Sequence, residues 1–407
     1  MTRTTIGNAV GNAPLGGQAR MPVLVVDDFH NMRSTLRQML LTAGYEDIDM
    51  AVDGEDAVDK MQRRRYEIVL CDYNLGEGLD GQQVLDVVRE RRLIDLSTLF
   101  IMVTAETTSD MVMGAVESMP DGYLSKPFSK DLLAVRLARG LRRKQALKHL
   151  DPFLRLGDLE GAIREAGRML RDGEGRVADL LRLRALWAWN TGDLSLAREA
   201  ATASWEDSRP AWAGVLLADL DAQAGDAEAA EAGYREVMRE TPQFMPAHDH
   251  LARLLERQGH GPEAMEVLRI AAERSPKSLA RQRFLGELAL VHGDAELALQ
   301  AWRRAIRIAR QMGQSHPADA AGRIAALIAS GASRNARQAI RDLDRDFASH
   351  PERAWYSVLA RLRLAAGGAS DERDSALREL EALPDEAMPE PVRKPLQRVL
   401  EALGVQS

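Results

Sequence analysis

The sequence predicts an α/β domain with a doubly wound parallel sheet, followed by an all-α region of repeated helix pairs. Between residues 21 and 150, apolar runs typical of buried strands alternate with amphipathic helical stretches, and this alternation favours a parallel sheet covered on both faces. Beyond residue 150 the strand patterns end, and glycine recurs every 33 to 38 residues. A chain of 407 residues is long enough for two or three domains.

Five βα units account for the N-terminal part. The predicted strands cover residues 22–26, 48–51, 68–71, 99–103 and 122–124, and the predicted helices cover residues 31–43, 54–64, 81–91, 109–118 and 130–147. This arrangement fits a flavodoxin-like domain, in which ligands bind at the carboxyl ends of the strands near the point where the strand order reverses. We assign residues 21–147 to this domain. Residues 1–20 are predicted to be a disordered leader, because they are rich in Gly, Asn and Thr and contain no apolar signal-peptide segment.

Polar side chains stand where four of these strands end. Asp27 and Asp28 follow the first strand, and Asp72 ends the third. Thr104 and Lys126 follow the fourth and fifth strands. Because parallel strands end at one edge of a sheet, three carboxylates, a hydroxyl and an amine are expected to lie together. Carboxylates bind divalent metals and can accept a phosphoryl group, so the sequence predicts a metal and phosphoryl site at this edge.

Five motifs at these strand ends resemble the motifs of response-regulator receiver domains, especially the chemotaxis type (CheY). They are Leu24-Val-Val-Asp-Asp-Phe29, Asp53-Gly-Glu-Asp-Ala57, Cys71-Asp-Tyr-Asn74, Met102-Val-Thr-Ala-Glu106 and Gly122-Tyr-Leu-Ser-Lys-Pro-Phe128. The resemblance implies that Asp72 is the phosphoacceptor and that a histidine kinase or phosphotransfer protein is the donor. It also implies that Asp28, Asp72 and the main-chain carbonyl of Asn74 bind Mg²⁺ directly, with Asp27 acting through water.

The resemblance implies a switch as well. Lys126 is expected to pair first with Asp72 and then with a phosphoryl oxygen, and to be joined to Pro127 by a cis bond. Thr104 is expected to hydrogen-bond the phosphoryl group and move inward, and Tyr123 to change rotamer as Thr104 moves. The readout is then a changed surface over the fourth predicted helix, the fifth strand and the fifth predicted helix.

Two further positions bear on the lifetime of the phosphoryl group. Asn74 and Glu106 lie two residues beyond Asp72 and Thr104, respectively. In the family these positions border the path of the hydrolytic water. Because the Asn/Glu pair resembles the chemotaxis type, a phosphoryl lifetime of seconds to minutes is expected.

The loop after Asp72 departs from the family pattern. The family usually has a proline in this loop and a glycine eight positions after the acceptor. Here Gly76-Glu77 replaces the proline, and Gly81 stands nine positions on. The extra glycines are expected to make the loop more mobile, so the phosphorylation rate and partner recognition at this loop are the properties that the departure affects.

A helix–turn–helix repeat fills residues 148–365. The recurring glycines are Gly157, Gly192, Gly225, Gly259, Gly293 and Gly331, each followed five residues later by Ala162, Ala197, Ala230, Ala264, Ala298 and Ala336. Glycine supplies the positive φ that ends the first helix, and the small alanine lets the two helices cross closely. Proline ends the second helix at Pro242 and Pro276. A period of 34 residues is typical of the tetratricopeptide repeat (TPR), and the unit around Gly293 carries most of the pattern.

This repeat predicts a TPR superhelix whose concave groove binds a protein client. The alternative is a self-packing or dimerising module, so a homodimer stays open. Residues 366–407 are predicted to form a degenerate repeat or capping helices, because Arg373-Asp374 interrupts the pattern.

The junction between the two halves carries many cations: Arg136, Arg139, Arg142, Arg143, Lys144 and Lys148. Cations are favourable at a helix C-terminus. The alternative is docking against an acidic surface of the helical half or of a partner. No Gly/Ser/Pro-rich linker follows, so the helix over 130–147 is expected to continue into the first repeat helix near Pro152.

Composition limits the function classes. The net charge of −7 and pI near 5.7 argue against a nucleic-acid partner. The longest apolar runs are too short for a membrane span, and with no export signal the cytoplasm is the expected compartment. The single cysteine, Cys71, excludes an internal disulfide and a multi-cysteine zinc site, and is expected to be a buried apolar residue.

The favoured hypothesis is a response regulator with a protein-binding output, which is not an enzyme beyond its own phosphoryl transfer and dephosphorylation. The alternatives are a transcription regulator with an undetected DNA-binding output, an enzyme controlled by a receiver, and a passive TPR scaffold with constitutive binding. No basic recognition helix, Gly-rich phosphate loop or nucleophile motif stands out after residue 150.

Overall fold

The structure, a computed structural model, describes residues 18–76, 78–105, 120–368, 372–384 and 387–405. Most of the predicted leader, Glu106 and the helix predicted over 109–118 lie outside these residues. The described chain divides into two compact units, one extending to Ala200 and the other beginning at Ala201. The first unit contains the sheet together with the first helices that follow residue 147.

A five-stranded parallel sheet forms the centre of the first unit. Its strands are β1 (Val23–Val26), β2 (Ile48–Ala51), β3 (Ile68–Asp72), β4 (Leu99–Thr104) and β5 (Gly122–Ser125), in the order β2-β1-β3-β4-β5. These bounds lie within one residue of the predicted strands, and the predicted doubly wound sheet is confirmed. The strand order reverses between β1 and β3, so the carboxyl ends of these two strands border the crevice where such sheets bind ligands.

Four described helices flank the sheet. They are α1 (His30–Thr42), α2 (Gly54–Arg63), α3 (Gly81–Glu90) and α4 (Lys130–Leu147). Asp53 and Asp80 cap α2 and α3 by accepting main-chain N–H bonds, which satisfies donors that the first helical turn leaves without partners. Apolar residues of β1, β3, β4 and β5 pack with those of α1 and α4 in one core, and burial of this surface is the main force that holds the layers together.

The passage out of α4 differs from the predicted continuous helix. A 3₁₀ turn (Lys148–Leu150) follows α4, and a short helix α5 (Asp151–Leu156) starts after it. Pro152 lies in the first turn of α5, where the N–H that proline lacks has no intrahelical partner to lose. The helical path is therefore re-initiated at Pro152.

Polar and apolar contacts tie the sheet domain to this junction. Arg155 on α5 donates two hydrogen bonds to the Asp95 carboxylate at 3.1 and 2.5 Å. The main-chain N–H of Ser97 donates to Asp151 Oδ1 at 3.2 Å. Leu96 from the same loop packs on a core that contains the fully buried Leu150. The segment before β4 and the residues after α4 therefore share one packed region.

The remaining described chain is helical. The helices are α6 (Leu159–Asp172), α7 (Val177–Thr191), α8 (Leu194–Ser208), α9 (Ala211–Gln223), α10 (Ala227–Glu240), α11 (Met245–Arg257), α12 (Gly261–Arg274), α13 (Leu279–Val291), α14 (Ala295–Gln311), α15 (Pro317–Ala329), α16 (Ser333–Asp346), α17 (Arg353–Ala366), α18 (Arg373–Glu381) and α19 (Glu390–Ala402). Among the described residues, none of these helices combines the length and apolar content needed to cross a bilayer.

The repeated positions behave as their spacing predicts. All six recurring glycines have positive φ, between 73° and 88°, and all six partner alanines are 0% exposed. Pro242 and Pro276 lie just beyond the ends of α10 and α12. Small residues also make room for Trp302 of the best-matching unit, since a Cβ at Gly286 or Gly322 would lie 2.7 or 2.4 Å from the Trp302 ring.

The chain after α17 packs on it. α17, α18 and α19 contribute to one core that includes Tyr356, Ala376 and Leu396. The residue with positive φ after α17 is Gly368, at +106°, whereas Gly367 has a φ of −79°.

Candidate site at the carboxyl ends of the strands

Three carboxylates meet beyond β1 and β3. Oxygen atoms of Asp27, Asp28 and Asp72 lie within 4.8 Å of one another. Asp27 is fully buried, Asp72 is 6% exposed, and Asp28 is half-buried. Arg33 Nη1 donates to the main-chain oxygen of Asp27 at 2.5 Å. Three negative charges at this separation repel one another, so the cluster is arranged to receive positive charge.

Lys126 supplies one such charge. Its Nζ lies 2.8 Å from Oδ2 of Asp27 and 2.8 Å from Oδ2 of Asp72. The amine reaches the acids because Lys126 follows β5 and its main-chain N–H bonds the oxygen of Thr104, at the end of β4, at 2.5 Å. The Lys126–Pro127 bond is cis, as the resemblance implied. The structure thus pairs Lys126 with Asp72, although the two residues are 54 positions apart in sequence.

The charges shift one another's pKa. Burial raises the pKa of Asp72, the Lys126 ammonium lowers it, and the nearby Asp27 carboxylate raises it again, so that the net change is upward. Burial lowers the pKa of Lys126, but its hydrogen bonds to Asp27 and Asp72 outweigh burial and raise it. Lys126 is therefore held in its charged form, and the pKa of Asp72 lies above that of a carboxylate in water.

The residues present fit a hard divalent cation. Asp28 Oδ1 is buried, and no donor in the described part of the chain lies within hydrogen-bond distance of it. A buried carboxylate oxygen without a partner is costly, and a cation would satisfy it. Gly76 borders the same side chain, since a Cβ there would lie 3.5 Å from Asp28 Oδ2. An all-oxygen donor set of this kind suits Mg²⁺.

The loop that departs from the family pattern is tied down at both ends. Leu75 and Leu79 are 2% and 5% exposed, and the Leu79 N–H donates to Glu55 Oε1 of α2 at 3.2 Å. Gly76 and Gly78 between them have positive φ. Sequence reasoning assigned no role to Glu55; its place in the first turn of α2, within one of the quoted motifs, was the available signal.

Gly81 packs closely against the backbone of the acceptor. A Cβ at Gly81 would lie 2.2 Å from the main-chain oxygen of Asp72 and 2.9 Å from Met102 Sδ. The Gly81 N–H donates to the oxygen of Tyr73 at 2.9 Å. The first residue of α3 therefore packs directly on the backbone of Asp72, which only glycine permits.

The predicted switch residues occupy different surroundings. Thr104 ends β4 and is 3% exposed. Tyr123 lies on β5 opposite Met102, two residues before Thr104 in the register, and is 37% exposed. Burial and the neighbouring Tyr73 raise the pKa of the Tyr123 hydroxyl. Thr104 thus lies at the edge of the sheet where the acids meet, whereas Tyr123 lies farther back along its strand.

The remaining predicted positions are placed as follows. Asn74 is exposed, two residues beyond Asp72, and Glu106 lies outside the described residues. Cys71 precedes the acceptor on β3 and is fully buried, and burial raises the pKa of its thiol. This thiol lacks the environment of a reactive cysteine.

A five-stranded parallel sheet with three acids and a lysine at its carboxyl edge defines a response-regulator receiver domain. Residues 23–138 match the family model described as the response regulator receiver domain. The chain is 32% identical over 124 residues to the chemotaxis protein CheY of Pseudomonas aeruginosa, covering 30% of this chain and 98% of that protein. It is 30% identical over 124 residues to the chemotaxis protein CheY-3 of Vibrio cholerae, covering 30% of this chain and 93% of that protein. The chain therefore belongs to the response regulator receiver family through its N-terminal domain.

A third relative is longer than the matched part. The chain is 35% identical over 150 residues to the transcriptional regulatory protein TrcR of Mycobacterium tuberculosis, covering 36% of this chain and 56% of TrcR. The family model ends at residue 138, before the helical region begins. The match to the family model thus concerns the receiver.

Proposed function

We propose that the protein is a phosphorylation-dependent response regulator in which Asp72 accepts a phosphoryl group from a histidine kinase or phosphotransfer protein. The observation that supports this most is the direct pairing of a buried Asp72 with Lys126 inside a cluster of acids. An isolated carboxylate on a surface would have neither the raised pKa nor the adjacent amine.

The chemistry is a transfer between two nucleophiles. An oxygen of Asp72 attacks phosphorus, the bond from phosphorus to the donor's imidazole nitrogen breaks, and the electron pair leaves with the imidazole. Lys126, already 2.8 Å from Asp72, stabilises charge on the transferred phosphoryl oxygens. Asp28, Asp72 and the Asn74 main-chain carbonyl would hold Mg²⁺, with Asp27 acting through water. When bound, this ion neutralises negative charge between the acids and the phosphoryl group.

Thr104 and Tyr123 carry the proposed readout. Thr104 donates a hydrogen bond to the phosphoryl group and moves inward, and Tyr123 then changes rotamer. The burial of Thr104 at the sheet edge and the partial exposure of Tyr123 on the neighbouring strand support these roles. Asn74 and Glu106 tune the lifetime, and a phosphoprotein that persists for many hours would contradict this assignment.

The proposed output is protein binding by a TPR-like array. Support comes from the helical region, in which left-handed glycines and fully buried alanines recur at the spacing of a helix–turn–helix repeat. Such arrays bind clients along a concave surface. Phosphorylation can change client binding only by as much as the client's affinity differs between the two receiver states.

A transcription regulator is the second candidate, favoured by the similarity to TrcR. The match leaves 44% of the length of TrcR without a counterpart. A passive scaffold with constitutive binding is the third candidate.

The test uses full-length protein with Mg²⁺ and acetyl phosphate, followed by intact-mass measurement. Wild type is expected to gain one phosphoryl group and Asp72→Asn none, while Asp59→Asn, on the exposed side of α2, serves as the matched control and should behave as wild type. Affinity capture with and without beryllofluoride then compares clients of wild type and Asp72→Asn. Absence of any modification refutes the acceptor assignment, and identical client capture in all states favours the passive scaffold.

A further inference from the structure

A cavity of about 540 Å³ lies at the amino ends of the strands, at the end of the sheet opposite Asp72. Thr98 and Asp121, which directly precede β4 and β5, line one side of it. Residues of α5, α6 and α7, which belong to the same compact unit, line the other side. Its volume lies within the range of about 300–1,000 Å³ that is typical of small-molecule sites. We call this space the junction cavity; its lining also includes Arg92, Asp151, Leu154, Leu159 and Trp187.

One wall of the junction cavity is apolar. It is formed by Leu96 from the loop before β4, Leu154 on α5, Leu159 on α6 and Trp187 on α7. These residues contact one hydrophobic core, and the three leucines are only partly buried by it, so part of their apolar surface stays exposed. A tryptophan beside leucines favours a flat aromatic ligand, because aromatic rings pack favourably against one another.

The polar part of the lining has more positive than negative charge. It contains five cationic side chains and three carboxylates: Arg65, Arg89, Arg92, Lys144 and Arg155, with Asp95, Asp121 and Asp151. Asp95 accepts two hydrogen bonds from Arg155. Asp121 lies 2.8 Å from the Lys144 ammonium. The excess of cations over carboxylates therefore favours a ligand with a net negative charge.

Arg92 is open to such a ligand. It is exposed, and it forms no ion pair with a carboxylate in the described part of the chain. Its backbone has a φ of 53°, which is unfavourable for a residue that carries a Cβ. Backbone strain of this kind is frequent at ligand sites, and here it belongs to a loop that borders the cavity.

Asp151 has a carboxylate oxygen that lacks a partner. The side chain lines the cavity and is 4% exposed. Its Oδ1 accepts the main-chain N–H of Ser97 at 3.2 Å, but its Oδ2 is buried and has no hydrogen-bond partner among the described residues. Burial raises the pKa of this carboxyl. Because an unpaired buried acceptor is costly, a hydrogen-bond donor on a ligand would stabilise it.

We propose that the junction cavity binds a purine nucleotide. The base donates an amino or ring N–H to Asp151 Oδ2, and its two rings pack on Trp187 and the neighbouring leucines. The phosphate pairs with Arg92, because a guanidinium binds phosphate through two parallel hydrogen bonds. One molecule of this class thus supplies the missing donor, the flat apolar body and the negative charge.

The charge of the lining favours a nucleotide over an aromatic amino acid. A zwitterionic amino acid offers an ammonium group for Asp151 and a ring for Trp187, but it carries no net charge and leaves the cationic excess unbalanced. A nucleoside monophosphate offers a donor and a ring system together with a negative phosphate. None of the lining residues belongs to the site at Asp72, so the proposal goes beyond phosphoryl transfer and does not depend on it.

The test is isothermal titration calorimetry with full-length protein, in which AMP and GMP are the probes. Mg²⁺ is left out, so that Asp28 and Asp72 cannot hold a phosphate through a metal ion. The corresponding nucleosides and ribose 5-phosphate form further arms, because each lacks one end of the nucleotide. Hydrogen exchange with mass spectrometry then locates the bound nucleotide, since segments stabilised by a ligand gain protection.

Two variants each remove one proposed contact. Arg92→Asn removes the guanidinium and suits the left-handed backbone, which asparagine adopts more readily than most residues. Its matched control is Arg209→Asn, because Arg209 has a similar φ of 45° but lies in the second unit. Asp151→Asn keeps an oxygen for the Ser97 N–H and replaces Oδ2 with an amide nitrogen, which cannot accept a hydrogen bond.

At least one nucleotide is expected to bind wild type and Arg209→Asn equally, and Arg92→Asn and Asp151→Asn at least about tenfold more weakly. New protection is expected within residues 92–98 and 151–159. No binding to wild type below about 1 mM, equal affinity of Arg92→Asn, or new protection confined to other segments would each overturn the proposal. Equal affinity for ribose 5-phosphate would overturn the assignment of the base. Because Arg92 is exposed, Arg92→Asn decides the test if Asp151→Asn fails to fold.

Discussion

Replacing Gly81 with alanine should loosen the receiver at its acceptor strand. The added Cβ would lie 2.2 Å from the Asp72 carbonyl oxygen and 2.9 Å from Met102 Sδ. The first contact is with backbone, which cannot rotate away, so α3 or β3 must move by about 1 Å to reach an ordinary van der Waals separation. Overpacking of this kind costs about 1–3 kcal/mol.

Part of this cost is offset. Alanine is favoured over glycine in a helix by roughly 0.5–1 kcal/mol, and Gly81 is the first residue of α3. The net expectation is a loss of about 1–2 kcal/mol. Gly122→Ala is the matched control, because nothing lies within 4 Å of a Cβ built there.

Hydrogen exchange with mass spectrometry is the suitable assay, because it reports opening of β3 and β4 separately within the full-length protein. Protection of these strands should fall about fivefold to thirtyfold in Gly81→Ala and stay near wild type in Gly122→Ala. Unchanged protection in Gly81→Ala, or equal loss in both variants, would refute the close packing of α3 on Asp72. Phosphorylation by acetyl phosphate should slow in Gly81→Ala as well, since the acceptor's backbone is displaced.

Three further expectations follow from buried charges. Lys126→Ala leaves the fully buried Asp27 without the Lys126 ammonium, so protection of β1 from hydrogen exchange should fall by an amount equivalent to about 3 kcal/mol without Mg²⁺. Added Mg²⁺ should then raise the protection of this variant by more than it raises that of wild type, and equal gains would contradict this reasoning. Asp249→Ala removes the carboxylate that accepts two hydrogen bonds from the guanidinium of Arg281, which is 1% exposed, and should cost about 3 kcal/mol in the protection of α13. Asp193→Ala, at an exposed helix cap, should cost about 1 kcal/mol. Burial lowers the pKa of His248 below its usual 6.5. As the pH falls, the imidazole is therefore protonated in the unfolded chain before it is protonated in the folded protein. The free energy of unfolding of the surrounding helices should be at its full value above pH 6.5 and decline as pH falls through the folded pKa. His248→Gln should flatten that decline in exchange measured across this range, and an unchanged slope would show that other groups cause it.

The principal elements of the fold and the acid cluster follow from local rules. Parallel strands end at one edge, so residues at strand ends meet even when far apart in sequence, and this is why Asp27, Asp72 and Lys126 could be expected together. The glycine and alanine positions of the helical region could also be predicted from the sequence. A positive φ favours glycine, and a close crossing of two helices favours alanine.

Other features depend on the course of irregular segments of the chain, which the periodicity of apolar residues does not predict. The hydrogen bond from Leu79 to Glu55 and the approach of Gly81 to Asp72 result from the course of an irregular loop. The sequence showed the arginines of α4, but not that Arg143 would pair with a carboxylate. Its partner, Asp179, is 36 residues away, and the distance depends on how the 3₁₀ turn directs the chain after Leu147.

The contacts across that turn have a practical meaning for dissecting the protein. A fragment ending at residue 147 would contain all the residues that match the family model, yet it would remove Arg155 from Asp95 and expose the apolar surface that Leu150 covers. Such a truncated receiver would lack contacts that the domain makes in the full-length protein. Fragments intended for kinetics or crystallisation should retain the chain at least through α7, so that the polypeptide is cut beyond this shared region.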